Sequence, residues 1–499
     1  MPEEIFDISG KPANPSGWAS LQKTARAIDQ ACLEKRLIAV WGHDDIDGIA
    51  STAIMLDALR GKAEAIYFIP PKSTTHYGLN REVIDQLLER GVSLLITVDS
   101  GISSMDEAEY AASKGLELII TDHHELPSRL PKAACLLNPK IPEEGRPTPH
   151  LAGAGVALYL AAAVDGGSSE DWLNEYPHHR TAWAALATIT DRVPMTGENW
   201  HIVRAGLGFI EANPVIGRLN DLLGISCDQG LSPRIISQTY VGLLSSCNSQ
   251  GFRHQTLELL RGDFDPGCWK ELYSAEQLWL NRMEDEVTAK TDEALADPNP
   301  LKVLADDQLS WSLVGAVAGG VRDRTGHPVV ILGRKNGLTV GECRGFEPFD
   351  FVAMLNVMQG FFLQHGGHKP AAGFTVLEGR EKELIEALKK YGIKNQSLIL
   401  RSKPSERIDH RFARLDEIDP ILPDILSLAP FGPDHKPKIC NFENLLLPRY
   451  SRTGDRYWLK YLMASQKNQD FVNCKCRCTL DVTHKGNFYL DLLSVNAIN

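Results

Sequence analysis

The chain has 499 residues, of which 43% are hydrophobic and 23% charged, which is typical of a globular protein with three or four domains. The acidic N-terminus has no signal peptide, and the longest apolar run, residues 151–164, is too short to cross a bilayer, so we expect a cytoplasmic protein without a membrane partner. The net charge of −12 argues against a nucleic-acid partner. Residues 436–499, however, carry ten Lys or Arg against five Asp or Glu, and this basic tail is compatible with such a partner.

The first 190 residues alternate short apolar runs with helix-like segments. Strands are predicted at residues 37–41, 65–69, 94–98, 117–120 and 135–137, and helices at 49–60, 81–90 and 103–114. This βαβα order predicts an α/β fold with a doubly wound parallel sheet. A helical stretch at 151–213 follows.

The second half predicts a helical connector and two further domains. Long helices are expected at 234–260 and 269–296, then apolar strands, a Gly-rich turn at 365–373 and an all-β tail. The predicted divisions are an N-terminal helical extension (1–35), a doubly wound domain (36–225), a helical connector (226–300), a second, smaller α/β domain (301–395) and an OB-like β-barrel (396–499).

Acidic and histidine side chains follow successive predicted strands. Asp45 and Asp47 lie in WGHDDIDG after the first strand, Asp99 ends ITVD, and the sequence Asp122-His123-His124 ends the next strand. Asp191 ends a helix-like segment, ALATITD. Because ligands bind at the carboxyl ends of parallel strands, we expect these groups to meet at one edge of the sheet.

A metal centre is the chemistry that this combination favours. Taken alone, the Asp-x-Asp pattern is also typical of a turn or helix cap, and a His-His pair is often structural. Together, the carboxylates would repel one another unless cations neutralised them, and a mixed Asp/His set suits Mn²⁺ or Mg²⁺, with Zn²⁺ as an alternative. Two such ions can activate a hydroxide for attack on phosphorus.

Four motifs, GHDDIDG, TVDSG, TDHH and ITDRVPMTGEN, resemble the successive motifs of the DHH phosphoesterase superfamily, and HGGHKPAAG at 365–373 resembles the signature of the DHH-associated domain. Together with LAGAGVA at 151–157, SLVGAVAGGV at 312–321 and LAPFGPDHKP at 428–437, they resemble the single-strand exonucleases of that superfamily from about residue 39 onward.

This resemblance implies a set of metal ligands and catalytic residues. The implied ligands of two Mn²⁺ or Mg²⁺ ions are His43, Asp45, Asp47, Asp99, His123 and Asp191. Asp99 would bridge the ions, His124 would contact the scissile phosphate or tune a ligand, and Asp122 would orient its neighbours. His43 stands where many relatives carry Asp and others carry His. The implied catalytic residues are Asp45, Asp47, Asp99, His123, His124 and Asp191.

The residues implied in substrate binding include departures from the usual residues of the family. They are Lys72, Arg234, Arg344, Gly366, Gly367 and His368. Lys72 replaces an arginine and loses the bidentate fork, Ile236 occupies a position usually held by Asn, and Glu342 places a carboxylate where the pattern has a hydroxyl. Hydrolysis is therefore predicted more firmly than the identity of the strand that is hydrolysed.

The tail combines basic and aromatic residues, as a barrel that stacks bases requires, and about half of the rings are expected to fill its core. Cys474, Cys476 and Cys478 share one face of a predicted strand, which favours a core face over a metal site. Because the ten cysteines of the chain include no CxxC pair, we expect free thiols.

The sequence therefore predicts a metal-dependent exonuclease that releases mononucleotides from single-stranded DNA, with 5′-to-3′ polarity implied by the resemblance. Single-stranded nucleic acid is the expected partner, DNA rather than RNA, and a helicase or single-strand-binding protein is a candidate protein partner. Two alternatives remain open at this point. One is a nuclease for short RNA or a cyclic-dinucleotide phosphodiesterase, and the other is a non-catalytic nucleic-acid-binding scaffold.

Overall fold

The computed structural model describes residues 10–71, 78–167, 169, 171–247, 249–263, 265–335, 337–346, 348–401, 408–448, 451, 456–459 and 471–497. The chain forms two compact units, Met1–Tyr273 together with Ile408–Asn499, and Ser274–Arg407. Within the described residues, no helix has both the length and the apolar character needed to cross a membrane.

The first unit is built on a parallel five-stranded sheet of order β2-β1-β3-β4-β5. Its strands are β1 (Leu37–Trp41), β2 (Ala65–Phe68), β3 (Val92–Thr97), β4 (Glu117–Thr121) and β5 (Cys135–Leu137). All five lie where the apolar runs predicted them. The doubly wound parallel fold is thereby confirmed.

Helices cover both faces of this sheet. The helices of the unit are α1 (Ala19–Leu33), α2 (Ile46–Leu59), α3 (Arg81–Glu89), α4 (Met105–Ser113), α5 (Gly153–Val164), α6 (Trp172–Glu175), α7 (His178–Asp191), α8 (Gly197–Ala212), α9 (Pro214–Leu223), α10 (Pro233–Thr239), α11 (Val241–Ser245) and α12 (Gln255–Leu260). Because successive strand residues face opposite sides, Ile38 and Val40 pack in one core with α1, α2, α5 and α7. Ala39 and Trp41 pack in another with α3 and α4.

The predicted helix at 234–260 is wrong, because three short helices, α10, α11 and α12, occupy that stretch. The helical path ends with α11 at Ser245, and the segment before α12 passes through Gly251, which has a φ of 81°. There it pairs with Ile69 at the end of β2. A contact across about 180 residues overrides the local helical pattern, and no local periodicity predicts it.

The second unit holds a mixed sheet of order β6-β7-β8-β10-β9, with β6 and β7 parallel and the other pairs antiparallel. The strands are β6 (Lys302–Ser310), β7 (Val329–Lys335), β8 (Leu338–Arg344), β9 (Phe362–His368) and β10 (Ala371–Val376). The helices are α14 (Trp311–Thr325), α15 (Phe351–Val357), α16 (Glu381–Lys394) and α17 (Gln396–Ile399), and α13 (Pro266–Ala296) ends in this unit. The predicted Gly-rich turn at 365–373 is instead a β-hairpin, since its glycines lie on β9 and β10.

The C-terminal strands return to the first unit and form a five-stranded sheet of order β11-β12-β14-β15-β13. They are β11 (His410–Phe412), β12 (Lys438–Pro448), β13 (Arg456–Trp458), β14 (Phe471–Val482) and β15 (Phe488–Ala497), with α18 (Leu422–Leu428) before β12. Cys440, Cys474, Cys476 and Cys478 are buried free thiols in its core, as the period-two pattern predicts. The predicted all-β, OB-like character of this region is confirmed.

Candidate metal centre

The loop from β1 to α2 presents the first two candidate ligands, His43 and Asp45. Asp45 is the N-cap of α2, and its Oδ1 accepts a hydrogen bond from the amide of Gly48 at 2.8 Å. Its Oδ2 lies 2.9 Å from Nδ1 of His43. A Cβ on Gly48 would lie 2.5 Å from the carbonyl oxygen of His43, so glycine is required for this tight turn.

Asp47 lies in the first turn of α2 and is fixed by the start of α5. Its Oδ2 accepts from the amide of Gly153 at 2.8 Å, and its Oδ1 accepts from the amide of Ala154 at 2.7 Å. Amide groups at a helix N-terminus have no partner within the helix and favour negative charge. The N-terminus of α5 therefore holds Asp47 as a buried carboxylate in the centre of the cluster.

Asp99 follows β3 and lies between the other candidates. It is buried, and its φ of 53° lies in the left-handed region that Asp and Asn adopt more readily than most residues. A Cβ on Gly153 would come within 2.7 Å of its Oδ1, so the first turn of α5 approaches Asp99 closely because residue 153 is glycine. Neither carboxylate oxygen accepts a hydrogen bond from the described residues.

The residues after β4 turn two imidazoles toward these carboxylates. Oδ1 of Asp122 accepts from the amides of His123 and His124 and lies 2.7 Å from Nδ1 of His124, while its Oδ2 accepts from the amide of Ile102 at 2.9 Å. Asp122 is thus occupied in orienting its two neighbours.

Asp191 approaches from a different element, as the last residue of α7. The chain leaves the helix at Arg192, whose φ of 58° ends the helical path. Nε2 of His123 lies 3.0 Å from Oδ1 of Asp99, 3.6 Å from Oδ2 of Asp47 and 3.8 Å from Oδ2 of Asp191. His123 is therefore the side chain that links the carboxylates of three separate elements.

The candidate ligands fall into overlapping groups whose ligand atoms all lie within 4.8 Å of one another. The groups are His43, Asp45 and Asp99; Asp47, His123 and Asp191; and Asp99, His123 and His124. The first two groups contain all six of the residues that the sequence implied as ligands. Asp99 belongs to the first and third groups, which places it between the two imidazole-bearing loops.

Burial and mutual repulsion shift the titration of these acids. Burial raises the pKa of Asp47 to about 7 despite the nearby His123. Burial, followed by the charges of Asp47 and Asp45, also raises the pKa of Asp99 well above its usual value. For Asp45, burial acts in the same direction, but the hydrogen bond from His43 lowers its pKa overall.

A divalent cation fits this arrangement. The cluster combines carboxylate oxygens with imidazole nitrogens. Mn²⁺ binds both kinds of ligand, and Mg²⁺ binds the carboxylate oxygens. Asp99 offers two buried oxygens without hydrogen-bond partners among the described residues, and buried polar atoms rarely remain so. A cation would satisfy both oxygens and relieve the repulsion that raises the pKa of Asp99.

A cavity of about 660 Å³ opens beside the cluster. It is lined by His43, Asp99 and His124 on one side and by the starts of α3 and α4, including Arg81 and Ser104, on the other. A volume of this size admits a nucleotide-sized group. Two of the six candidate ligands, His43 and Asp99, thus line a defined space.

Of the residues implied in substrate binding, Arg234 lies in the first unit, and Arg344, Gly366 and Gly367 lie in the second. Lys72 lies outside the described residues, as does the side chain of His368. Nε of Arg234 pairs with the buried Asp491 at 2.7 Å. In the second unit, Nη1 of Arg344 lies 2.6 Å from Oε2 of Glu342. Gly366 and Gly367 lie on β9, opposite Gly373 and Ala372 of β10.

Sequence reasoning missed supporting residues around the histidine pair. Nζ of Lys140 donates to the carbonyl of His123 at 2.7 Å, and Nδ2 of Asn138 donates to the carbonyl of His124 at 3.1 Å. Both follow β5, the neighbour of β4 in the sheet. The signal that would have found them is their position after a strand end.

Comparisons with known proteins agree with this fold. Residues 37–188 match the DHH family, N-terminal domain. The chain is 31% identical to the single-stranded-DNA-specific exonuclease RecJ of Bacillus subtilis over 382 residues, which are 73% of this chain and 46% of that protein. It therefore spans about half the length of that relative.

Solved structures of similar fold extend the comparison. RecJ from Thermus thermophilus in complex with Mn²⁺ is 22% identical, with a TM-score of 0.67 over 97% of this chain and 72% of that chain. An exonuclease RecJ bound to manganese is 26% identical, with a TM-score of 0.58 over 76% of this chain and 95% of that chain.

Proposed function

We propose that this chain, which belongs to the DHH family through residues 37–188, is a divalent-metal-dependent exonuclease that hydrolyses single-stranded DNA. The observation that carries the proposal is the grouping of the candidate ligands around the buried Asp99, whose oxygens accept no hydrogen bond from the described residues. The similarity to exonucleases named RecJ supports the substrate, and the manganese-bound relative supports the metal.

The candidate ligands divide into two positions for Mn²⁺ or Mg²⁺. His43, Asp45 and Asp99 would hold one ion, and Asp47, His123 and Asp191 would hold the other, with Asp99 shared between them. Ions bound there would supply an activated water and neutralise charge on the phosphoryl group. The protein's own contribution is to keep these side chains fixed in a buried site, because fixed groups need no rearrangement as charge develops.

His124 is the proposed contact to the scissile phosphate. Its side chain is exposed and lines the cavity, while Asp122 holds its Nδ1. This hydrogen bond raises the pKa of His124, which favours the cationic imidazolium. A cationic Nε2–H donates to a phosphate oxygen and orients the bond that breaks.

Binding of the DNA strand is assigned to residues in several regions of the chain. Residues 36–225 would form the catalytic domain, 301–395 the substrate-grip domain and 396–499 a nucleic-acid-binding domain, with 1–35 as an extension and 226–300 as a connector. Lys72, Arg234, Arg344, Gly366, Gly367 and His368 would contact the strand. Because the substrate is unpaired DNA, a helicase or a single-strand-binding protein is the class of partner that would supply it.

The test is digestion of end-labelled single-stranded DNA by the full chain with Mn²⁺ or Mg²⁺. We expect 5′-to-3′ release of mononucleotides, with loss of activity in Asp99→Ala. Retained activity in that variant would refute the proposed centre. DNA binding without hydrolysis would instead indicate a scaffold, and faster cleavage of short RNA or cyclic dinucleotides than of long strands would indicate a small-substrate phosphodiesterase.

A further inference from the structure

A buried acid–histidine pair adjoins the candidate ligands in the loop after β1. Asp44 lies between His43 and Asp45, and its Oδ1 accepts a hydrogen bond from Nε2 of His254 at 2.9 Å. The side chain of His254 has no exposed surface and that of Asp44 is 4% exposed. The two residues are 210 positions apart, and His254 lies beyond the matched domain of residues 37–188.

The second nitrogen of His254 fixes the direction of this hydrogen bond. The amide of Thr256 donates to Nδ1 of His254 at 3.2 Å, which makes His254 the N-cap of α12. Since Nδ1 accepts, the ring proton resides on Nε2 and is donated to Asp44. The N-terminus of α12 thus fixes the tautomer of His254 that donates to Asp44.

The segment that carries His254 is itself fixed to the sheet. The amide of Ser249 donates to Oδ2 of Asp44 at 3.1 Å, so both carboxylate oxygens are held. The amide of Ile69, just after β2, donates to the carbonyl of Gly251 at 2.9 Å, and Oγ of Ser249 donates to the carbonyl of Ile69. Asp44 is therefore held by a segment that is hydrogen-bonded to the sheet.

We propose that the Asp44–His254 pair positions His43 and Asp45 for the first metal position and acts on that position selectively. Fixing the side chain of Asp44 fixes the backbone that carries the two ligands beside it. Asp47 has an independent anchor in the amides of Gly153 and Ala154, so the second position does not depend on His254. The inference rests on the proposed function, because it assumes that both positions bind metal.

The chain offers a control for the loss of a His–Asp hydrogen bond, in a pair whose histidine side chain is 41% exposed. Nε2 of His179 lies 2.8 Å from Oδ2 of Asp57 near the other end of α2, remote in sequence from the candidate ligands. His179→Leu removes a His–Asp contact to α2 itself, whereas Asp44 lies in the loop that precedes this helix. If the two pairs merely stabilise the fold, both substitutions should affect metal binding alike.

The experiment titrates Mn²⁺ into the metal-free full chain and follows binding by calorimetry and electron paramagnetic resonance. For His254→Leu we expect one of two Mn²⁺ binding events to weaken by about tenfold while the other is unchanged. His254→Gln retains an N–H donor at a comparable position and should bind within about threefold of the unsubstituted protein. His179→Leu should leave both events unchanged.

Several outcomes would overturn the inference. Unchanged Mn²⁺ binding in His254→Leu would contradict the inference, and so would equal weakening of both binding events. A His254→Gln variant that binds Mn²⁺ as weakly as His254→Leu would contradict it as well. If His254→Leu does not fold by circular dichroism, Asp44→Asn replaces it, because an amide keeps the shape but accepts at one oxygen alone; the same selective loss is expected. An unsubstituted protein that binds no Mn²⁺ would overturn the proposed function and this inference together.

Discussion

Among the candidate ligands, Asp99 is the carboxylate whose surroundings favour binding a cation over folding without one. Asp99 is buried, its pKa is raised by burial and by neighbouring acids, and its oxygens lack hydrogen bonds from the described residues. At neutral pH its ionised form opposes folding of the metal-free protein, because an unsatisfied buried charge is unfavourable.

Asp99→Asn should therefore separate stability from activity. Asn keeps the shape and tolerates the left-handed φ of 53° at this position, while removing the charge. We expect the hydrolysis rate to fall by at least about 100-fold. The free energy of unfolding of the metal-free variant should rise by about 1 kcal/mol, and its unfolding midpoint by roughly 2 °C. Thermal denaturation with and without Mn²⁺, alongside DNA hydrolysis, measures both effects. A variant that is less stable without metal would show that Asp99 has a structural role.

At the same scale, Glu342 is predicted to oppose the function assigned to Arg344. The two side chains are 2.6 Å apart at their charged atoms, so the carboxylate competes with any phosphate for the guanidinium. Glu342→Gln should tighten binding of single-stranded DNA by about threefold at low salt, with a smaller effect at high salt.

The control for this change is Glu381→Gln. It removes one negative charge from the same unit, at a carboxylate whose Oε1 accepts from Thr339 and lies 3.9 Å from Arg334. Fluorescence anisotropy with a labelled strand compares the two variants. If both tighten binding equally, net charge alone explains the result and Arg344 has no special contact with the strand.

Much of the candidate metal centre is predictable from the sequence, because most of its candidate ligands follow strands. Asp45, Asp99 and His123 lie within four residues of the ends of β1, β3 and β4, and parallel strands bring their ends to one edge. The supporting residues are less predictable, because a position after a strand end does not show which neighbouring loop a side chain contacts. Lys140 supports a loop from another strand, and His254 lies on a segment whose pairing with Ile69 no local pattern reveals.

Among the elements, α2 connects the metal centre with a buried charge network. At its C-terminal end, Asp57 accepts from Nε of Arg180 on α7 at 2.6 Å, and Nη1 of the same arginine lies 2.6 Å from Asp165 after α5. Burial opposes ionisation of Asp57, but hydrogen bonds from His179 and Arg180 lower its pKa well below the usual value. The three helices that surround the ligands are thereby joined through one guanidinium.

Arg180→Met should destabilise the first unit, because it leaves two carboxylates without their shared cation. We expect its free energy of unfolding to fall by roughly 3 kcal/mol at pH 7. A depressed folded-state pKa stabilises the protein above the unfolded pKa of about 4, and this contribution disappears as the pH falls below that value. The difference between the variant and the unsubstituted protein should therefore shrink between pH 5 and about pH 3.

Arg60→Met is the matched control for that prediction. Arg60 lies 3.4 Å from the same Asp57, but its side chain is 62% exposed, and exposed pairs contribute little. We expect a change below about 1 kcal/mol in urea denaturation. Equal effects of the two substitutions would contradict the assignment of Arg180 as the central member of the network.

At the scale of the whole molecule, the order of domains follows from sequence patterns but their grouping into units does not. The βαβ rhythm and the period-two tail are local signals, and each predicted its own sheet. The return of Ile408–Asn499 to the unit that begins at the N-terminus depends on tertiary contacts. Thr483, for example, donates its hydroxyl to the carbonyl of Gln229, 254 residues away.

This grouping predicts how metal binding affects unfolding of the full chain. Every candidate ligand lies in the unit formed by Met1–Tyr273 and Ile408–Asn499, and none lies in Ser274–Arg407. Calorimetry should show two transitions. Mn²⁺ at about 100 times its dissociation constant should stabilise one by about 2.7 kcal/mol and raise its midpoint by roughly 5 °C, leaving the other unchanged. Asp99→Asn identifies the first transition, since its Mn²⁺-dependent shift should be lost. A single transition that shifts as a whole would show that the two units unfold together.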